Sequence, residues 1–139
     1  MESNITTIMQ KHVISVAMGD TIEMVESTLN SRKLSSVPVI DPARGDCFGI
    51  ISAPDLVRFH ATKRNPKSVQ AWEICTFKPV EVDPQMSVND ATALMLKHRI
   101  HHLVVTKDKA MKGFISSLDL LEHLLSVANK SPSTGKSAD

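Results

Sequence analysis

Two similar segments, GIISAPDL at residues 49–56 and GFISSLDL at residues 113–120, decide how this chain of 139 residues is organised. Each begins with a glycine, continues through two apolar residues, and reaches a serine that is followed three residues later by an aspartate. One constant offset thus places Gly49 on Gly113 and Asp55 on Asp119. Similarity at a fixed spacing is typical of a repeated structural unit, so the flanking sequence should correspond as well.

The correspondence extends upstream at a slightly larger offset. Residues 13–40 then align with residues 79–106, which places Val16 on Val82 and Val39 on Val105. The offset shortens between these blocks and the glycine-initiated segments. A turn of variable length explains the change, because loops absorb insertions that packed elements cannot. The chain therefore predicts two copies of one unit.

Each copy predicts the order strand–helix–strand–strand–helix. Short β-rich runs come first, Thr21 and Ser87 are suited to cap the helices that follow, and continuous apolar runs then predict buried strands. One copy is too small to bury enough surface alone, so the two should share a core across a pseudo-twofold axis. The predicted fold class is mixed α/β, of the α+β type. The predicted strands lie at residues 13–16, 36–40, 48–51, 80–82, 103–105 and 113–115, with closing helices from about Pro54 and Leu118.

The predicted domain boundaries follow from this pattern. The first repeat covers residues 1–60, a basic linker covers 61–72, and the second repeat covers 73–127. The last stretch, 128–139, is rich in Lys, Ser, Pro, Thr and Gly and has almost nothing apolar to bury. We expect it to be a disordered tail.

Composition excludes several classes of protein. A formal net charge of +1 gives no overall attraction to nucleic acid or to an anionic membrane. Two cysteines cannot form a disulfide framework. No apolar run is long enough to span a bilayer, and the first residues do not resemble a signal peptide. A cytoplasmic protein is expected.

The glycine-initiated segments and the run VPVID at residues 37–41 resemble the cystathionine-beta-synthase (CBS) repeat family, whose paired form is called a Bateman module. The resemblance covers about residues 5–126 and is to the stand-alone version of the module. It implies a non-catalytic sensor that binds an adenine nucleotide such as AMP, ADP or ATP between the repeats. S-adenosylmethionine and NAD stay open as ligands, and no cofactor is implied. A homodimer and an unidentified regulated protein are the implied partners.

The repeated Ser-x-x-Asp motif comprises Ser52 with Asp55 and Ser116 with Asp119. In structural terms it is a helix capping box, in which the serine caps the first turn and the acid bonds back to the serine amide. The resemblance implies a second role, since the family uses the aspartate to accept hydrogen bonds from ribose hydroxyls. A carboxylate at a helix N-terminus is suited to that, because the helix dipole favours its ionised form.

His101 and His102 precede the apolar run of the second repeat, and Ser35 and Ser36 occupy the matching positions in the first. In some family members these positions hold basic residues that contact phosphates, which implies two unequal sites. Protonation of histidines near pH 6.5 should then strengthen the binding of a phosphate-rich ligand as the pH falls. The alternative is a solvated helix end whose cations complement the dipole. A metal site on His98, His101 and His102 is disfavoured, because no carboxylate or cysteine lies nearby in sequence.

Ile14 and Val80 fall where the family places the first strand against the adenine. Simple core packing would use the same residue types. Neither serine of the Ser-x-x-Asp motifs has an evident His–Asp partner, and five glycines leave little for a phosphate-cradling loop, so we do not expect an enzyme. Two other functions stay open. They are a dimerisation or protein-interaction module without a ligand, and nucleic-acid binding through the cations of residues 58–67 and 97–102, which the balanced charge disfavours.

Overall fold

The chain forms seven strands and five helices within residues 3–129, the part described by a computed structural model. The predicted strand–helix–strand–strand–helix order occurs twice, so the predicted fold class is confirmed. The first repeat comprises β1 (Val16–Ala17), α1 (Ile22–Arg32), β2 (Ser36–Ile40), β3 (Cys47–Ser52) and α2 (Ala53–Ala61). The connection comprises α3 (Ala71–Ile74) and β4 (Thr76–Phe77). The second repeat comprises β5 (Glu81–Val82), α4 (Val88–His98), β6 (His102–Lys107), β7 (Ala110–Ser116) and α5 (Ser117–Asn129).

Each repeat contributes its own sheet, and the two sheets have matching pairings. In the first, β1 is parallel to β2, and β3 lies antiparallel between β2 and β4. In the second, β5 is parallel to β6, which is antiparallel to β7. Val39 faces Gly49 in the first sheet, and Val105 faces Gly113 in the second, with a register shift directly after each pair. The internal similarity of the sequence is thus reproduced in strand register.

The helices that follow β1 and β5 begin at the predicted caps. The Thr21 hydroxyl accepts a hydrogen bond from the Met24 amide at 3.2 Å, and the Ser87 hydroxyl accepts one from the Asp90 amide at 2.9 Å. Each bond satisfies an amide that has no partner inside the helix. Both helices end in a residue with left-handed backbone, Lys33 in α1 and Arg99 in α4, and this turns the chain into the next strand.

The segment that precedes each repeat packs into the other repeat. Ile5 is fully buried in the core of the second repeat, whereas Ala71 is fully buried in the core of the first. The backbones of Gln10 and Phe114 exchange hydrogen bonds at 2.9 and 3.1 Å, so the N-terminal segment flanks β7. β4 flanks β3 in the same way. The two repeats are therefore joined by reciprocal exchange as well as by their shared surface.

That shared surface has a small apolar core of its own. Cys47, Ile50, Val104 and Phe114 are buried together and come from β3 of one repeat and from β6 and β7 of the other. Helix α5 then extends to Asn129. Of the predicted disordered stretch, residues 130–139 lie outside the described part of the chain.

Candidate functional site

A cavity of about 450 Å³ lies between the two repeats. Six of the ten predicted ligand-binding residues line it, and both repeats supply them. The wall of the cavity is mostly apolar by area, and its polar elements are hydroxyl groups, two imidazoles and Lys78. The predicted residues in this wall are Ser35, Ser52, Val80, His101, His102 and Ser116.

A second cavity of about 160 Å³ adjoins the first. Ser35, Ser116 and Leu118 line both cavities, so the two share a wall. The smaller cavity adds three further predicted residues, which are Ile14, Ser36 and Asp119. Asp55 is the predicted residue that lines neither cavity.

The first Ser-x-x-Asp motif is engaged in local contacts. The Ser52 amide donates to Asp55 Oδ2 at 2.8 Å, and the Ser52 hydroxyl donates to the same oxygen at 3.1 Å. Arg58 Nη2 donates to the other oxygen, Oδ1, at 2.5 Å. Asp55 is buried, and both of its oxygens have local partners, Ser52 at the N-cap of α2 and Arg58 one turn further along the helix. This carboxylate acts as a helix cap.

The second motif has the same cap, but only one of the two oxygens of its carboxylate is engaged within residues 3–129. The Ser116 amide donates to Asp119 Oδ2 at 2.8 Å, and the Asp119 amide donates to the Ser116 hydroxyl at 3.1 Å. Gln10 Nε2, from the N-terminal segment, also donates to Oδ2 at 3.2 Å. Within residues 3–129 no hydrogen bond engages Oδ1. Asp119 is half-buried and lines the smaller cavity, so this oxygen can accept a hydrogen bond from a ligand.

His102 joins the two repeats instead of projecting freely. Its Nε2 lies 2.7 Å from the Ser36 hydroxyl, and its ring stacks on Phe114 with centroids 5.3 Å apart. Burial, and then the neighbouring His101, lower the pKa of His102, while Asp119 and Asp55 oppose the shift. The expectation that both histidines titrate near pH 6.5 is therefore wrong for His102, because an imidazole in this position loses hydration when it becomes charged.

His101 is exposed and lines the larger cavity. Its backbone carbonyl accepts a hydrogen bond from the Ser117 amide at 2.8 Å, which ties the start of α5 to the start of β6. The side chain is thus held at the cavity mouth by its backbone and remains accessible. Of the two predicted phosphate contacts, His101 is the one open to solvent.

The sequence interpretation missed two polar residues of the smaller cavity, Lys33 and Gln10. Lys33 corresponds to Arg99 at the offset that relates Val39 to Val105, so the repeat could have indicated a cation at this helix end. Gln10 could not have been found this way. It reaches Asp119 only because the N-terminal segment packs on the second repeat, a long-range contact with no local sequence signal.

Neither a metal centre nor a membrane-spanning helix is found in the described part of the chain. Within residues 3–129 there is no group of three or more His, Cys, Asp or Glu side chains arranged to hold a metal ion. Over the same residues, no helix is both long enough and apolar enough to cross a bilayer.

A family model for the CBS domain matches this chain twice, at residues 5–61 and 71–126. The chain belongs to the CBS-domain family. CBS domains generally act as regulatory modules that bind adenosyl ligands, and stand-alone CBS-domain proteins are regulatory and non-catalytic. The two matched stretches correspond to the two sequence repeats.

Solved structures of similar fold include CBS-domain proteins, and a relative of similar sequence covers most of the chain. The chain is 28% identical to the uncharacterized protein YlbB of Bacillus subtilis over 101 residues, which are 73% of this chain and 68% of YlbB. Its fold is similar to a protein with CBS domains from Burkholderia ambifaria, with a TM-score of 0.77, 26% identity, and coverage of 88% of this chain and 90% of that one. The CBS domain of a bacterial CNNM/CorC family Mg²⁺ transporter, solved in complex with ATP, has a TM-score of 0.79, 17% identity, and coverage of 88% and 87%.

Proposed function

We propose that this CBS-domain chain is a regulatory module that binds an adenine nucleotide of the AMP, ADP and ATP class between its repeats. The observation that carries the proposal is the adjacency of the two cavities. Residues from both repeats that the resemblance to the CBS family implies as ligand contacts line them together. A carboxylate, hydroxyl groups and the apolar residues Ile14 and Val80 meet within one region, and both apolar residues precede the observed first strands instead of lying in them as predicted. S-adenosylmethionine and NAD carry the same adenosyl group and belong in the test.

The ribose is assigned to Asp119. Its Oδ1 can accept a hydroxyl proton while Oδ2 keeps the helix capped, and a charge-assisted hydrogen bond of this kind contributes about 1.5–3 kcal/mol. Ile14 and Leu118 supply apolar surface beside it. The smaller cavity alone is below the range of about 300–1,000 Å³ that is usual for ligand pockets. The nucleotide should therefore extend past Ser116 into the adjoining part of the larger cavity, which leaves the side lined by Ser52 and Val80 open.

The phosphates are assigned to the region where the two repeats meet. Ser35, Ser36 and His101 lie there, and Lys33 supplies a cation at the edge of the smaller cavity. A positive charge and several hydroxyl donors suit a phosphate. The ligand would touch both repeats and favour one relative arrangement of them, and a partner protein could recognise that arrangement.

A thermal-shift panel with AMP, ADP, ATP, S-adenosylmethionine and NAD tests the proposal. A ligand that binds the native state raises the melting temperature, and the rise grows with the ratio of its concentration to Kd. We expect at least one adenosyl compound to raise it, and uridine monophosphate, which lacks the adenine, to have a smaller effect. An unchanged melting temperature with every compound at millimolar concentration would contradict a nucleotide-binding role.

A second candidate function is pairing with a second copy of the chain, with or without a ligand. Helix α5 supports it, because five of its apolar side chains are at least 43% exposed. Exposed apolar residues that follow one another on a single helix are typical of interaction surfaces. These residues are Leu118, Leu121, Leu124, Leu125 and Val127.

Sedimentation velocity distinguishes the paired from the single chain. We expect a dimer at micromolar concentration, and a monomer when Leu121 and Leu125 are both changed to Glu, because two charges would be buried at the contact. The matched control changes Val57, an exposed apolar residue on α2, to Glu. A wild-type chain that sediments as a monomer at every concentration would refute the dimer.

We further propose that the module works in the cytoplasm. Both cysteines are free thiols, and burial raises the pKa of Cys47 to about 11, which keeps this thiol protonated and unreactive. Reduced, unpaired cysteines suit a reducing compartment. Cell fractionation with an antibody to the native protein would test this location.

A further inference from the structure

The residue one helical turn after each aspartate differs between the repeats. Arg58 follows Asp55 by three positions, and Glu122 follows Asp119 by three positions. Arg58 and Glu122 are thus equivalent positions, related by the same offset as the two Ser-x-x-Asp motifs. Residues three apart on a helix are neighbours on its surface. The two repeats therefore place opposite charges beside equivalent carboxylates.

In the first repeat this neighbour, Arg58, forms a hydrogen-bonded ion pair with the Asp55 carboxylate. Arg58 donates to Asp55 Oδ1, and the Asp55 side chain is 5% exposed while that of Arg58 is 71% exposed. The guanidinium thus covers the outer side of a buried acid. With the Ser52 amide and hydroxyl on Oδ2, both oxygens are occupied. A ribose could bind Asp55 only by displacing Arg58.

In the second repeat the equivalent neighbour, Glu122, cannot form an ion pair with Asp119. Glu122 carries the same charge as Asp119 and is exposed, so the two side chains repel each other. The long-range donor at Asp119 is the neutral amide of Gln10, and it shares Oδ2 with the Ser116 amide. Thr76 stands at the position equivalent to Gln10 and has too short a side chain for the same contact. Asp119 therefore keeps one oxygen, Oδ1, without a hydrogen-bond partner among residues 3–129.

We propose that residues 58 and 122 determine which carboxylate can bind a ribose, so that each chain binds one nucleotide, at Asp119. The inference rests on the proposed function and adds its stoichiometry and the residues that set it. Arg58 keeps the first motif in its structural role. Glu122 keeps the second motif available to ligand.

Isothermal titration calorimetry with AMP tests the assignment in four variants. Glu122→Arg should supply Asp119 with the kind of partner that Asp55 has. It should therefore weaken the binding of AMP about tenfold or more. Its matched control, Glu122→Gln, removes the charge without supplying a partner and should stay within about twofold. Arg58→Gln and Arg58→Glu release Asp55, whose hydrogen-bond partner Ser52 lines the larger cavity, and should raise the stoichiometry from one AMP per chain to two. The side chains at both positions are exposed, and circular dichroism checks that each variant is folded before it is titrated.

The comparison ligand is 2′,3′-dideoxyadenosine monophosphate, which lacks the ribose hydroxyls. It should bind weakly, and Glu122→Arg should change its affinity by no more than about twofold. Two AMP per wild-type chain, or equal affinities for Glu122→Arg and Glu122→Gln, would overturn the inference and leave nucleotide binding intact. A stoichiometry that stays at one in both Arg58 variants would also overturn it. A folded wild-type chain that binds no AMP would refute the proposed function, and this inference with it.

Discussion

His102 and Ser36 stand at equivalent positions of the two repeats, and they contact each other. Two equivalent residues can meet only close to the axis that relates their repeats, so this hydrogen bond marks the pseudo-twofold axis. Each residue also lines one of the two cavities. A substitution at His102 should therefore alter contacts in both repeats.

The half-buried imidazole of His102 predicts a pH-dependent stability. Its folded-state pKa lies below the ordinary value, so the unfolded chain binds more protons as the pH falls through about 6.5. The free energy of unfolding should accordingly be highest above that pH and decrease between about pH 7 and 5. Urea denaturation at pH 7.5 and 5.5 measures the decrease, which should be smaller in His102→Gln. The remaining histidines are common to both proteins, and an equal decrease in both would show that His102 does not contribute.

At the scale of elements, the glycines of β3 and β7 explain why the motif begins as it does. A Cβ on Gly49 would lie 2.5 Å from the Thr76 carbonyl, and one on Gly113 would collide with Met9 and come within 3.1 Å of the Gln10 carbonyl. Thr76 and Gln10 are equivalent positions in the two exchanged segments. Each glycine is thus required where the segment from outside its repeat crosses the strand.

Substitution of these glycines should destabilise the chain unequally. In Gly49→Ala the new Cβ would collide with the Thr76 carbonyl, a backbone group that cannot move aside. This substitution should lower the free energy of unfolding by about 2–3 kcal/mol. Gly113→Ala meets mainly the flexible Met9 side chain and should cost less. Gly19→Ala is the control, since a Cβ there has nothing within 4 Å. Urea denaturation ranks the three, and a Gly49→Ala protein as stable as Gly19→Ala would contradict the packing described.

The local elements were predictable from sequence, and the exchange between repeats was not. Thr21 and Ser87 cap their helices as predicted because capping depends on residues within one turn. The difference between Asp55 and Asp119 was also encoded locally, in Arg58 and Glu122, although the motif alone did not reveal it. By contrast, the contact of Gln10 with Asp119 joins residues that are far apart in sequence, and only the folded chain brings them together.

At the scale of the whole molecule, the exchanged segments make the two repeats one folding unit. Ile5 lies outside the strand–helix–strand–strand–helix unit, yet it is fully buried against Val88 and Leu103 of the second repeat. The first repeat depends on Val69 and Ala71 in a similar way. Loss of either segment should weaken the opposite repeat.

Ile5→Ala tests this dependence. Removing a fully buried isoleucine side chain should lower the free energy of unfolding by about 2–5 kcal/mol, although the residue precedes the first predicted strand. The exposed Lys11→Ala in the same segment should have almost no effect. Chemical denaturation followed by circular dichroism gives both values. A mobile, loosely packed N-terminus would instead make the two variants equally stable.

We propose Asp119 as the residue that binds the ribose of an adenine nucleotide between the two CBS repeats. Calorimetric titration of AMP into the wild-type chain and into Asp119→Ala tests it most directly, with Glu23→Ala as a control that removes an exposed carboxylate from α1. Loss of one charge-assisted hydrogen bond should weaken binding to Asp119→Ala by about 1.5–3 kcal/mol, or about 10- to 150-fold, and leave Glu23→Ala unchanged. Equal AMP affinities in the wild-type chain and in a folded Asp119→Ala protein would contradict the claim.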